Sequence, residues 1–189
     1  MRRVYLRRLL LLMLLLAGPV GLATAGGFEL GDRVQIGVRM FPKMVGGNLQ
    51  ISTKKNPSGK LLLLVAYDKD WKTGQKVAEH LKSSVDNIHN LPLEVAVTGD
   101  LDFKPYEADH IAGIFLADKL SKGKLDRLID FGIKRQIVLF SPFEGDVARG
   151  VTTGLYVATR VRPALNLTTL VNSKIRYNRL FLKVAKSYE

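Results

Sequence analysis

Residues 61–67 read Leu-Leu-Leu-Leu-Val-Ala-Tyr, lying between the polar turn "KKNPSG" (54–59) and "DKD" (68–70). Continuous apolar sequence of this length is the mark of a strand buried on both faces. Such a strand needs cover above and below, so its neighbours should supply helices. Downstream, Val77, Leu81, Val85 and Ile88 recur at helical steps, which predicts an amphipathic helix over 73–88. Residues 93–97 read as a second strand, and "IAGIFL" (111–116) as a third without alternation. Leu125, Leu128, Ile129 and Ile133 form the inner face of another helix, followed by a short strand at 137–140. Strands alternating with amphipathic helices specify a largely parallel sheet with helices on its faces, an α/β fold. Residues 99–110 hold Pro105 and are too few for a full crossover helix, so a loop with at most one turn is expected.

Upstream, Val34, Val38, Phe41 and Val45 fall at helical steps, with Gly31-Asp32 as the entry. Pro42 removes a backbone donor from that helix, which should kink or stop near Phe41. Past Gly150 the pattern changes: Leu155, Val157 and Val161 alternate with small or polar residues around Thr159-Arg160. This predicts an antiparallel hairpin whose second strand is confined by Pro163 to an edge or a bulge. Asn166 or Thr168 then caps a final helix, with Val171, Ile175 and Leu182 on one stripe and Tyr177, Phe181, Val184 and Tyr188 on another.

The first 25 residues read as a signal peptide rather than as part of the fold. Arg2, Arg3, Arg7 and Arg8 form a basic start, residues 9–16 an almost pure leucine run, and Ala23-Thr24-Ala25 a cleavage site. The leucine run falls short of the ~20 apolar residues of a membrane-spanning helix. The expected product is an exported, periplasmic chain of one domain over 26–189. Removing 25 of 189 residues leaves 164, and the formal charge falls from +12 to +8. Much of that excess sits at the end, where Lys174, Arg176, Arg179, Lys183 and Lys186 oppose only Glu189. Outside the cytoplasm, such a surface suits anionic lipid headgroups, cell-wall polymers or an acidic protein face. Nucleic acid is not expected, for no motif of that class is present. The chain has no cysteine, which excludes thiol catalysis, disulfide exchange and cysteine-ligated metal.

In an open α/β sheet, ligands sit beyond the carboxyl ends of the strands. Those ends here are "YDKDWKTG" (67–74), "ADKLSKGK" (117–124) and "SPFEGD" (141–146). Asp68, Asp70, Trp71, Lys119 and Ser141 are therefore the candidate ligand contacts. Each also has a plainer reading: Asp70 or Thr73 as a helix cap, Trp71 as packing between helix and sheet. Lys72-Thr73 lacks the glycines of a phosphate loop, and no G-x-G-x-x-G follows a strand. His80, His89 and His110 are not paired at metal-ligand spacing, so no metal and no cofactor are expected. A Ser141–His110–Asp118 triad is disfavoured, because His110 falls at the wrong strand end and Pro142 follows the serine.

The C-terminal string "GDVARGVTTGLYVATRVRPALNLTTLVNSKIRYNRLFLKVAKSYE" (145–189) resembles the end of the YfiR family of small periplasmic proteins. The shared features are a glycine-containing loop at 145–150, an apolar strand at 154–157, and a turn at Thr159-Arg160. A strand over 161–167 ending in Asn-Leu follows, and then Lys174-Ile175 running to Leu180, Leu182 and Ala185. "RMFPKMV" (39–45) and the apolar strand upstream fit the same layout. The resemblance implies a Rossmann-like fold, a tendency to form homodimers, and a non-enzymatic regulator. Its implied partner is a membrane signalling protein with a periplasmic domain, such as a diguanylate cyclase that it restrains. The cysteines that some members oxidise are absent, so redox control does not transfer.

Two functional expectations follow. One is a periplasmic binding or regulatory protein acting by protein contact, with Arg176 and Arg179, three apart on a helix face, gripping carboxylates. The alternative is a single-lobe small-solute-binding protein that uses the strand-end cleft. A hydrolase built on Ser141 is a distant third.

Overall fold

The computed structural model describes residues 31–189, so the signal-peptide reading of residues 1–25 lies outside the described residues. An eight-stranded sheet runs in the order β2-β3-β1-β4-β5-β6-β7-β8. Its centre is β1 (Leu61–Ala66), flanked in parallel by β3 (Leu91–Thr98) and β4 (Ile111–Leu116). β5 (Val138–Ser141) and β6 (Thr153–Val157) continue the parallel set, and β7 (Val161–Asn166) returns antiparallel to β6 as the expected hairpin. The short strands β2 (Asn87–Ile88) and β8 (Lys186–Tyr188) are the two edges.

The continuous apolar run of β1 is explained by cover on both faces. Leu61, Leu63 and Val65 enter one core with α1 (Asp32–Gly46) and α2 (Trp71–Ser84). Leu62, Leu64 and Ala66 enter a second core with α3 (Lys122–Arg135). In the first core Phe41 of α1 packs edge-on to Phe115 of β4, with ring centroids 5.6 Å apart, and lies 5.7 Å from Phe140 of β5. In the second, Phe103 sits in the 99–110 loop at φ 55° and stacks on Phe131 at 5.1 Å. That loop has a single 3-10 turn, Ala108–His110, as its length requires. At the end of α3, the buried Lys54 ammonium donates to the Arg135 carbonyl at 2.6 Å, satisfying a helix-end acceptor. Burial there pushes the lysine's pKa down.

Three sequence expectations need correction. α1 runs through Pro42 to Gly46, so of the expected kink or stop near Phe41 the stop does not occur. The donor lost at proline is offset by burying Phe41, Met44 and Val45 completely. α2 ends at Ser84, so Ile88 belongs to β2, joined to β3 by a turn at His89 and Asn90, φ 51° and 63°. The final helix is two short ones, α4 (Leu167–Asn172) and α5 (Arg179–Val184), followed by β8. Between them Lys174 adopts φ 57°, which breaks the helix and turns Ile175 and Tyr177 into the core. The Tyr177 hydroxyl donates to the Met44 carbonyl at 2.6 Å, and burial raises its pKa. Asparagine caps both pieces: Thr169 N–H donates to Asn166 Oδ1 (2.8 Å), and Phe181 N–H to Asn178 Oδ1 (2.7 Å).

Candidate functional site

At the carboxyl end of β1, the loop 67–70 wraps the side chain of Asp118, which follows β4. The backbone N–H groups of Asp68, Lys69 and Asp70 donate to the Asp118 carboxylate at 2.9, 2.7 and 2.9 Å. Successive N–H groups converging like this make an anion-binding concavity. Here the chain fills it with its own carboxylate. Asp68 pairs with Lys124. Asp70 caps α2: the Thr73 N–H donates to it at 3.0 Å and the Thr73 hydroxyl at 2.6 Å. Those two bonds, the hydroxyl's first, hold the Asp70 carboxyl below its usual range.

Ser141 ends β5 with no exposed surface. Its hydroxyl donates to Asp146 at 2.6 Å and accepts from the Phe143 N–H at 3.1 Å. Burial pushes the Asp146 carboxyl up, against the pull of the Ser141 hydroxyl and the charges of Lys119 and Arg149. Ser141 thus serves one internal carboxylate, just as the β1 loop serves another. His110 lies at the start of β4, bonded to Glu107 at 2.9 Å, so it does not meet Ser141. Among the described residues, no three His, Asp or Glu side chains could together hold a metal ion.

Trp71 stands apart from this economy: it opens α2 with 55 % of its surface exposed, so packing between helix and sheet is not its role.

The self-occupied concavity gives a prediction. Asp118→Ala should destabilise the domain by about 2 kcal/mol, since three charge-assisted bonds are lost. Millimolar phosphate should then raise the variant's thermal midpoint more than the wild type's, because only the variant has an open anion seat. Equal shifts in differential scanning calorimetry would show that the seat does not form without Asp118.

The opposite end of the sheet carries a different feature. α1 runs against the strands. Its first turn reaches past β5, where Arg33 Nε donates to the Pro142 carbonyl at 2.7 Å, and its last turn ends beside Tyr177. There, a groove of about 960 Å³ opens between α4, α5 and the segment after α1. Its apolar lining includes Leu49, Leu167, Val171 and Leu182, and its charged residues are Lys174, Arg176 and Arg179. No acidic side chain is among its described lining residues. Leu49 is 61 % exposed and Val171 75 %, while α5 also exposes Leu180 at 73 %. A folded domain does not gain by leaving several large apolar side chains in water close together, so such clusters mark contact surfaces.

Both candidate arginines border this groove, but not as expected. Arg176 lies in the extended stretch before α5 and Arg179 is its first residue, so they share no helix face. The tail's charge pattern was visible in the sequence. The apolar half of the groove was not, because it depends on the break at Lys174 and on Leu49, contributed from far upstream.

No protein-family profile matches the chain. No curated protein matches it in sequence. Its fold is similar to that of a conserved domain protein from Vibrio cholerae O1 biovar El Tor, at 16 % identity and a TM-score of 0.58. That alignment covers 80 % of this chain and 60 % of the Vibrio chain. A weaker likeness, with a TM-score of 0.46 and 7 % identity, is to an ABC domain from Streptococcus pneumonia solved with L-Trp. It covers 77 % of this chain and 60 % of that one. The chain therefore spans 60 % of the length of each of these proteins, and the first likeness places it in the mixed α/β, Rossmann-like class.

Proposed function

We propose that this chain is an exported, non-enzymatic regulatory module, of the kind found in the YfiR family, that acts by docking on another protein. The observation that carries this reading is the groove between α4 and α5, where exposed leucine and valine side chains are bordered by three cations and no acid. A partner that fits offers an amphipathic segment with apolar residues toward Val171 and Leu49 and carboxylates toward Lys174, Arg176 and Arg179. The partner class is a membrane signalling protein with a periplasmic domain, a diguanylate cyclase being the first candidate, which the docked module holds inactive.

The solute-binding alternative draws on the strand ends, but the polar groups there are already committed. The β1 seat holds Asp118, and Ser141 is closed off against Asp146. A solute would have to displace an internal carboxylate before it could bind.

The test is made in the producing cell. Deleting the gene should raise cyclic di-GMP severalfold, and wild-type protein should restore the low level. An Arg176→Glu/Arg179→Glu double variant that accumulates to normal amounts should fail to restore it, because charge reversal at the rim opposes an acidic partner. Unchanged cyclic di-GMP on deletion would remove the cyclase from the proposal. Full restoration by the double variant would remove the groove.

A further inference from the structure

We infer that the carboxyl end of the sheet is a second contact surface, fitted to anionic lipid headgroups, with Trp71 as its interfacial anchor. An indole more than half exposed at the first residue of α2 packs poorly against its own domain. At the level of lipid headgroups, the same ring can bury its apolar body and keep its N–H hydrated.

Lys69 and Lys72 flank Trp71 in sequence, and both are exposed. Lys119, from the loop after β4, and Lys122, the first residue of α3, are also exposed. The three bonds from the 68–70 backbone to Asp118 fix that loop beside the first. The nearby acids are turned inward: Asp68 toward Lys124, Asp70 onto α2, Asp118 into its concavity, Asp146 onto Ser141. The exposed acids at this end are Asp32, Glu144, Asp102 (3.7 Å from Lys104) and Asp126 (3.0 Å from Arg149). What the loops present outward is therefore mainly ammonium groups around an indole.

Anionic lipid suits this arrangement better than an acidic protein does. Lysines are flexible point charges rather than rigid forks, and they match a fluid array of phosphates without needing fixed partners. This surface also lies at the other end of the sheet from the α4–α5 groove, so the two can be occupied together.

Trp71 is the only tryptophan in the chain, so intrinsic fluorescence reports on this surface alone. The exported chain, residues 26–189, is mixed with phosphatidylcholine vesicles, with or without about one-third phosphatidylglycerol. The expected result is a blue shift of Trp71 emission, and its quenching by brominated lipid, with anionic vesicles only. High salt should reverse both. Replacing Lys69, Lys72, Lys119 and Lys122 by glutamine should weaken partitioning by roughly 600-fold, at about fivefold per lysine. Arg176→Glu/Arg179→Glu should leave the shift intact, which separates this surface from the groove. Three results would overturn the inference: no shift with anionic vesicles, an equal shift with neutral ones, or a shift with polyglutamate but not with lipid. The last would assign the surface to an acidic protein.

Discussion

Phe41→Ala is expected to destabilise the domain by about 4 kcal/mol and to lower its thermal midpoint by roughly 8–16 °C. Phe41 has no exposed surface and meets two aromatic rings from adjacent strands, Phe115 and Phe140, which themselves stack at 5.3 Å. Truncation removes the transfer energy of a ring and leaves a cavity that cannot collapse. Two of its walls belong to the parallel sheet and the third to α1, pinned at one end by Arg33 and at the other by Tyr177. Urea denaturation followed by circular dichroism measures the loss. Trp71→Ala, a larger truncation at an exposed site, should change stability by well under 1 kcal/mol and serves as the comparison. A Phe41→Ala loss no larger than that would mean α1 is not clamped to the sheet as described.

Gly154→Ala is expected to cost about 3 kcal/mol, a larger penalty than most single methyl additions. Gly154 pairs with Ser141 across the β5–β6 boundary. A β-carbon there would stand 2.5 Å from the Ser141 carbonyl oxygen and 2.6 Å from Val147. The first obstacle is backbone, and it cannot rotate away. Relief requires β6 to move off β5, and β6 carries with it β7, β8 and both C-terminal helices. Thermal unfolding of Gly154→Ala should therefore show a lower midpoint, and amide exchange should rise first in β6 and β7. A variant with wild-type protection in β6 would show that the strands have room to spare.

How far the sequence could be read depended on how local the cause was. β1 and β4 were legible because burial on both faces leaves an unbroken apolar run, and the buried faces of α2, as far as Leu81, and of α3 followed from helical spacing. The hairpin of β6 and β7 announced itself by alternation. α1 crossing Pro42 was not legible, because the compensation lies in Phe115 and Phe140, distant in sequence. The split of the final helix was hidden for a similar reason: the stripes through Ile175 and Tyr177 fit a helix as well as they fit two residues turned inward at a left-handed lysine. Among candidate site residues, the capping role of Asp70 was readable from its three-residue spacing to Thr73. The roles of Ser141 and Asp118 were not. Each depends on which loops a parallel sheet sets side by side.

The direction of α1 carries a consequence in length. Its 15 residues at 1.5 Å per residue span about 22 Å, from the strand carboxyl ends to the mouth of the α4–α5 groove. A domain seated on a bilayer by its strand ends thus becomes a ruler, holding the groove about two nanometres above the headgroups. A receptor stub shorter than that could not reach it, and a tall, mobile ectodomain would meet it at many heights. The module would select partners by stature as well as by charge.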